Sequence, residues 1–155
     1  MQQGDKLPDF ELETTTGEVR ASDFSGQNLV LYFYPKDDTP GCTTESKEFS
    51  ALQEEFKALN TTVLGVSKDS VAKHQKFREK YAFAHDLIAD PDEILCQLFD
   101  VIKEKNMYGK KYLGIERSTF LFDSQSRLQQ KWRKVKVENH VAEVLDAVKN
   151  LPATS

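Results

Sequence analysis

Two cysteines stand in this chain, in different settings. Cys42 follows Pro35-Lys36-Asp37-Asp38-Thr39-Pro40-Gly41 and precedes Thr43-Thr44-Glu45, whereas Cys96 lies within Ile94-Leu95-Cys96-Gln97-Leu98-Phe99. Pro35 ends the segment before it, Pro40 fixes the backbone, Gly41 lets the chain turn tightly, and Cys42 then falls in the first turn of a helix. A thiol at that place meets unpaired N–H groups and the positive end of the helix, both of which favour the nucleophilic thiolate. An ordinary cysteine is a few per cent thiolate at neutral pH, so full ionisation raises reactivity only about thirtyfold, roughly 2 kcal/mol. A demanding reaction needs further groups that hold the substrate and stabilise charge on the leaving atom. Thr39, three residues before the thiol, is the local candidate, and the loop's one cation is the solvated Lys36.

These residues need a scaffold. Phe10 and Leu12 alternate with acids before the turn Thr15-Thr16-Gly17-Glu18, which predicts a short hairpin. Leu29-Val30-Leu31-Tyr32-Phe33-Tyr34 is a continuous apolar run of β-formers, the pattern of a strand buried on both faces. Beyond the loop, Phe49, Leu52, Phe56 and Leu59 recur at helical steps, so one amphipathic helix is expected, with Cys42 at its start. The spacing then predicts a strand at 62–67, a helix over 70–81 with Ser70 as N-cap, and a strand at 87–89. It continues with a helix opened by Asp90-Pro91-Asp92-Glu93, with Asp90 as N-cap. A strand at 118–122, a turn at 123–126, a strand over 128–137 and a helix carrying Val141, Val144, Leu145, Val148 and Leu151 follow. Strands that alternate with helices and end strand, strand, helix imply an α/β fold, a central mixed β-sheet with helices on both faces. Ligand sites in such sheets lie past the carboxyl ends of strands, where the loop from Pro35 to Cys42 falls.

Composition bounds the rest. At 155 residues without an internal repeat or linker, one domain over 1–155 is expected. Twenty-one basic against twenty-five acidic residues give a net charge of -4, the wrong sign for a nucleic-acid partner. Two cysteines are too few for a disulfide scaffold, and His74, His85 and His140 show no metal-ligand spacing and read as solvated or helix-face residues. The polar N-terminus Met1 to Lys6 and the lack of a long apolar run predict a cytoplasmic protein with no membrane partner.

The pattern Pro35-x-x-x-Thr39-x-x-Cys42 resembles the active-site motif of the peroxiredoxins. The fuller run from Tyr32 to Thr43 is similar to the peroxiredoxin Q, or bacterioferritin comigratory protein, subfamily. The resemblance continues through Met107-Tyr108-Gly109-Lys110 and Gly114-Ile115-Glu116-Arg117-Ser118-Thr119, like the segment that carries the active-site arginine there. It implies a thioredoxin-like fold and a peroxidase for hydrogen peroxide and alkyl hydroperoxides, with no metal, flavin or haem. Cys42 would attack the peroxide as thiolate and become a sulfenic acid, Thr39 would hydrogen-bond the peroxide, and Pro35 would shield the pocket. Arg117 would hold thiolate and substrate oxygens, the cation the loop itself lacks, while Gly41 and Glu45 would support the site. Thioredoxin or another thiol would return the electrons, and the family leans to a monomer.

Many members of the subfamily carry a second, resolving cysteine five residues after the first, where this chain has Lys47; others place it in the next helix, where residues 70–81 have none. Two readings therefore stay open: a one-cysteine cycle closed by an external thiol, or a Cys42–Cys96 disulfide. The first is preferred, because a disulfide needs Cα atoms within about 7 Å. On a helical wheel Cys96 falls off the face set by Ile94, Leu95, Leu98 and Phe99, which places it outside the central core. Three rival readings are weaker. A disulfide exchanger wants Cys-x-x-Cys and a cysteine hydrolase wants a histidine beside Cys42; a non-catalytic interaction or chaperone module on the same scaffold is the third. The basic run 131–136 alternates with Trp132 and Val135 and reads as the wet face of a strand, and 103–111 reads as a solvated loop, a place for a reductant to dock.

Overall fold

The computed structural model describes residues 1–151. In chain order the elements are β1 (Glu11–Thr14), β2 (Gly17–Arg20), β3 (Asn28–Phe33), α1 (Pro40–Ala51), α2 (Gln53–Ala58), β4 (Thr61–Ser67), α3 (Val71–Tyr81) and β5 (Asp86–Ala89). They continue with α4 (Ile94–Leu98), β6 (Ile102–Met107), β7 (Lys110–Ile115), β8 (Ser118–Phe122), β9 (Leu128–Trp132) and α5 (His140–Lys149). Seven strands form one mixed sheet in the order β2-β1-β5-β4-β3-β8-β9, and β6 pairs with β7 as a separate hairpin. The three inner strands β3, β4 and β5 run parallel, and β8 and β9 extend the sheet antiparallel on the far side of β3.

Alternation along β3 feeds two cores. Leu29, Leu31 and Phe33 point to one face, where they meet Phe99, Phe120, Leu95 and Cys96, while Val30 and Tyr32 point to the other, with Cys42, Phe49, Phe56, Phe77 and Val144. Helices α1, α2, α3 and α5 thus cover one face and α4 the other, as expected of an α/β sandwich. Phe33, Phe99 and Phe120 pack with centroids 4.8 to 5.7 Å apart, the separations that aromatic rings prefer. β3 is flanked on both edges and covered on both faces, so the loop that leaves its carboxyl end starts from a strand held on every side. That loop carries Cys42.

Several expectations need correction. The stripe from Phe49 to Leu59 belongs to two helices, because the chain breaks at Leu52 (φ -101°, ψ 11°) before α2 resumes it. Asp90 is not the N-cap of α4: that residue is Glu93, in a left-handed conformation (φ 61°), and Asp90 instead reaches forward to accept from the Ile94 and Cys96 N–H groups at 2.8 and 2.9 Å. The late start turns the helix. Ile94 and Leu98 are about half exposed, whereas Leu95, Cys96 and Phe99 are wholly buried, so Cys96 is a central core residue after all. Residues 103–111 form most of the β6–β7 hairpin rather than a loop, joined by Tyr108 and Gly109 with φ of 53° and 79°, the left-handed pair of a tight hairpin turn. Both faces of that hairpin are largely polar, which hid the strand period. The last strand stops at Trp132 instead of reaching Val137. All three histidines are buried: the helix-face alternative holds for His74 on α3 and His140 at the start of α5, and the solvated one fails for all three.

Candidate active site

The site grows from one junction. Tyr34 N–H makes the last bond of the β3 side to the Val66 carbonyl, and Pro35, with no N–H to give, releases the chain from the sheet. The loop is then fixed from below. The Asp37 carboxylate accepts from Tyr34 Oη at 2.6 Å and lies 2.6 Å from His74 Nδ1, while Asp37 N–H donates to Asp69 at 2.8 Å. His74 Nε2 must donate to the Ile88 carbonyl, 2.9 Å away, since a carbonyl only accepts, so the Asp37–His74 contact is held by one further proton between them. Sequence reasoning missed this buried clamp, because its parts come from β3, the loop and α3, and each alone looks like an ordinary polar residue.

Thr39 is the N-cap of α1, Pro40 its first residue, and Cys42 its third. The first helical bond runs from Thr43 N–H to the Thr39 carbonyl at 2.8 Å, which leaves the N–H groups of Gly41 and Cys42 in the unpaired first turn. The Thr39 hydroxyl spends its single proton on the Lys36 carbonyl at 2.9 Å, so it presents lone pairs to any further partner and can accept an O–H. Cys42 itself is 1% exposed.

Arg117 comes from the opposite side, between β7 and β8. Its carbonyl accepts from Val135 N–H at 2.9 Å, and the preceding Glu116 is tied to Arg133 at 2.7 Å, so the backbone that presents the guanidinium is anchored at both points. Nη2 donates to Cys42 Sγ at 3.3 Å and Nη1 to Glu45 Oε1 at 2.7 Å. A planar fork can serve both acceptors at once. Gly41 permits the approach: a Cβ there would lie 3.2 Å from Nη2. Glu45 has no exposed surface, and its Oε2 has no hydrogen-bond partner among the described residues. Burial pushes its carboxyl up to about 7 against the opposing pull of Arg117.

Of the residues singled out from sequence, Cys42, Arg117, Glu45 and Gly41 meet at one point, with Thr39 at the cap of the same helix and Pro35 at the end of the same strand. Cys96 does not join them, since it lies in the core on the other face of the sheet. Lys47 stands exposed, its Nζ 5.2 Å from the Tyr81 ring centroid. No histidine bonds to Cys42 among the described residues: His85 Nε2 pairs with Tyr32 Oη at 2.6 Å and His140 Nε2 with Thr119 Oγ1 at 2.7 Å. A hydrolase-like thiol and imidazole pair is therefore not assembled. The arrangement suits a thiolate that attacks an electrophilic atom while a fixed cation holds both partners.

Comparison with known proteins agrees with this chemistry. Residues 3–131 match the AhpC/TSA family. Over 149 residues the chain is 51% identical to a peroxiredoxin Bcp of Bacillus subtilis, covering 96% of this chain and 95% of that protein. A structure of Xylella fastidiosa PrxQ, a cysteine-to-serine variant, superposes with a TM-score of 0.92 at 48% identity, covering 96% of each chain. The bacterioferritin comigratory protein of Xanthomonas campestris, studied for its alkyl peroxide reduction activity, superposes with a TM-score of 0.86 at 52% identity, covering 90% of each chain.

Proposed function

The chain belongs to the AhpC/TSA family, in its Bcp/peroxiredoxin Q group of thioredoxin-like thiol peroxidases, and from that premise we propose that Cys42 is its peroxidatic residue in a one-cysteine cycle. The Cys42 thiolate attacks one peroxide oxygen, an S–O bond forms and the O–O bond breaks. The electron pair leaves on the second oxygen, which takes a proton and departs as water or an alcohol. Sulfur, oxidised by two electrons, is left as a sulfenic acid. An external thiol then expels water from it, forming a mixed disulfide that a second thiol reduces. Hydrogen peroxide and alkyl hydroperoxides are the substrates, and thioredoxin or another small thiol is the reductant in the cytoplasm.

One observation carries this reading: the Arg117 fork that reaches Cys42 Sγ and Glu45 together. It supports a role for Arg117 in holding the attacked oxygen and the thiolate, because the charge it offers is permanent and already paid out in geometry before substrate arrives. Thr39, whose hydroxyl proton is committed to Lys36, accepts the peroxide O–H, and Pro35 keeps water from the loop's edge. Gly41 leaves space for the guanidinium. The proposed working unit is the monomer.

The test is direct. Reduced protein given one equivalent of hydrogen peroxide or cumene hydroperoxide should consume it, with one oxygen atom gained on the Cys42 peptide, and Cys42→Ser should do neither. Peroxide that persists with the wild type, or is consumed equally by Cys42→Ser, sinks the reading and leaves a non-catalytic module. Turnover with reduced thioredoxin, against glutathione or dithiothreitol, identifies the reductant.

A further inference from the structure

Thr39 stands at the N-cap of α1, yet its side chain does not cap the helix. A threonine in that position ordinarily accepts from the second or third N–H of the first turn. Thr39 makes no such bond among the described residues, and its hydroxyl donates instead to the Lys36 carbonyl at 2.9 Å. Its lone pairs are thereby left for an incoming O–H. A threonine side chain has three staggered wells, so what keeps the hydroxyl in this one is the direction of the Lys36 carbonyl.

That carbonyl belongs to the Lys36–Asp37 peptide, whose N–H donates to Asp69 Oδ2 at 2.8 Å. In a planar trans peptide the N–H and C=O point opposite ways, so a bond that fixes the N–H on Asp69 also fixes the carbonyl on Thr39. Asp69 is a firm anchor. Its side chain is 8% exposed and leaves the chain just past β4, the parallel neighbour of β3. Oδ2 also accepts from Ser67 Oγ at 2.7 Å, Ser67 Oγ accepts from the Asp69 N–H at 3.2 Å, and Lys73 Nζ stands 3.9 Å from Oδ1. Ser67 itself is wholly buried and paired with Ala89 of β5. The Asp37 side chain has its own holds on Tyr34 and His74, but these leave the peptide before it free to turn over by opposite rotations about ψ of Lys36 and φ of Asp37. A carboxylate at the far end also strengthens the series, because bonds to an ionised acceptor are about twice as strong as neutral ones and linked bonds polarise one another.

We propose that Asp69 is a positioning residue of the peroxidase site: through the Lys36–Asp37 peptide it holds the Thr39 hydroxyl in the orientation that accepts the peroxide O–H. The inference rests on the proposed roles of Cys42 and Thr39. Without the Asp69 carboxylate the peptide turns over, the Lys36 carbonyl leaves Thr39, and the hydroxyl spreads over wells in which its lone pairs no longer face the substrate.

Nuclear magnetic resonance tests the positioning without any peroxide, since the couplings from Thr39 Cγ2 to its backbone nitrogen and carbonyl carbon report the χ1 rotamer in solution. They should show a single well in the wild type and in Asp69→Asn, whose amide oxygen still accepts the Asp37 N–H, and an average over wells in Asp69→Ala. Couplings that stay fixed in Asp69→Ala overturn the inference, whatever peroxide assays show. Kinetics then read the consequence. Asp69→Ala should lower the second-order rate constant for hydrogen peroxide about three- to tenfold, with Asp69→Asn closer to the wild type, while alkylation of Cys42 by iodoacetamide, which has no O–H for Thr39 to accept, keeps its wild-type rate. Thr39→Val should itself react about tenfold slower or more, and adding Asp69→Ala to it should lose nothing further. Losses that add in the double variant, or alkylation that speeds up because the loop has opened over a buried thiol, would leave Asp69 a merely structural role and overturn the inference. Ser67→Ala removes one hold on the same carboxylate, should show the same pattern at smaller size, and takes the place of Asp69→Ala if that variant does not fold. Averaged couplings in Asp69→Ala, in a protein whose wild type consumes no peroxide, would uphold the positioning and reject the peroxidase cycle.

Discussion

At the scale of single residues the site depends on one guanidinium with two obligations. Lysine at 117 would keep the charge but could not bridge Cys42 Sγ and Glu45 Oε1, which stand on different arms of the fork. Arg117→Lys should therefore lower the second-order rate constant for hydrogen peroxide about 100-fold while leaving the fold intact, as measured by competition kinetics and thermal melting. Glu45 makes a different prediction. Native Glu45 keeps its proton up to about pH 7, whereas the unfolded chain loses it near the ordinary carboxyl value of 4.5. Between those values unfolding releases a proton, so stability falls as pH rises and reaches its lower plateau above 7. The loss is about 3 kcal/mol, from 1.36 kcal/mol per unit. Urea titrations at pH 5 and pH 8 should show it in the wild type and not in Glu45→Gln; equal pH dependence in both would show that the carboxyl is ionised throughout. The sequence leaves Arg117 as one basic residue among many, visible only through the motif that contains it, because a contact spanning 75 residues leaves no local period.

Elements decide which way those residues point, and α4 shows how a single carboxylate does so. Asp90 is wholly buried and holds the N–H groups of Ile94 and Cys96, so it sets both where the helix begins and which face it turns inward. Asp90→Ala strands the buried Cys96 N–H and the part-buried Ile94 N–H and should cost about 2–3 kcal/mol, read from the urea midpoint. It should also make Cys96 reactive toward a disulfide reagent under native conditions, and an inert Cys96 in a destabilised variant would show that packing alone fixes the helix. The strands were legible because β3 is a nearly continuous apolar run and β4 and β8 are short segments rich in β-formers, and the Ser70 cap of α3 was legible because its hydroxyl does accept from Lys73 N–H at 3.2 Å. The start of α4 was not. Asp-Pro-Asp-Glu has the composition of a capping box, yet the chain spends those residues on a turn, and a core face drawn through Ile94 and Leu98, which are about half exposed, put Cys96 on the wrong side. The break at Leu52 was hidden for a similar reason, since helical spacing of apolar residues continues across it.

For the molecule as a whole the decisive fact is that the sheet separates its two thiols. Cys42 belongs to the core beneath α1, α3 and α5, and Cys96 to the core beneath α4, with the strands β3 and β4 between. Both are free and almost fully buried. Bridging them would require one helix to leave its core and cross the sheet, exposing Leu95 and Phe99 on one side or Phe49 on the other, at about 1.5–3 kcal/mol for each apolar side chain uncovered. Burial, and then the adjacent Asp90, also push the Cys96 thiol well above its ordinary range, so it offers little thiolate for attack even if it were reached. The two effects act in the same direction, one on distance and one on chemistry. Wild type treated with one equivalent of peroxide should therefore show no intramolecular disulfide in a non-reducing peptide map, and Cys96→Ser should turn over with an added thiol as fast as the wild type. A Cys42–Cys96 peptide, or a Cys96→Ser variant that stalls after one turnover, would mean that the oxidised protein opens its sheet far more than its packing allows. If the map stays clear, the oxidised sulfur has no partner within its own chain, and the rate of the cycle becomes the rate at which an outside thiol can reach a sulfur that is 1% exposed beneath the Arg117 fork.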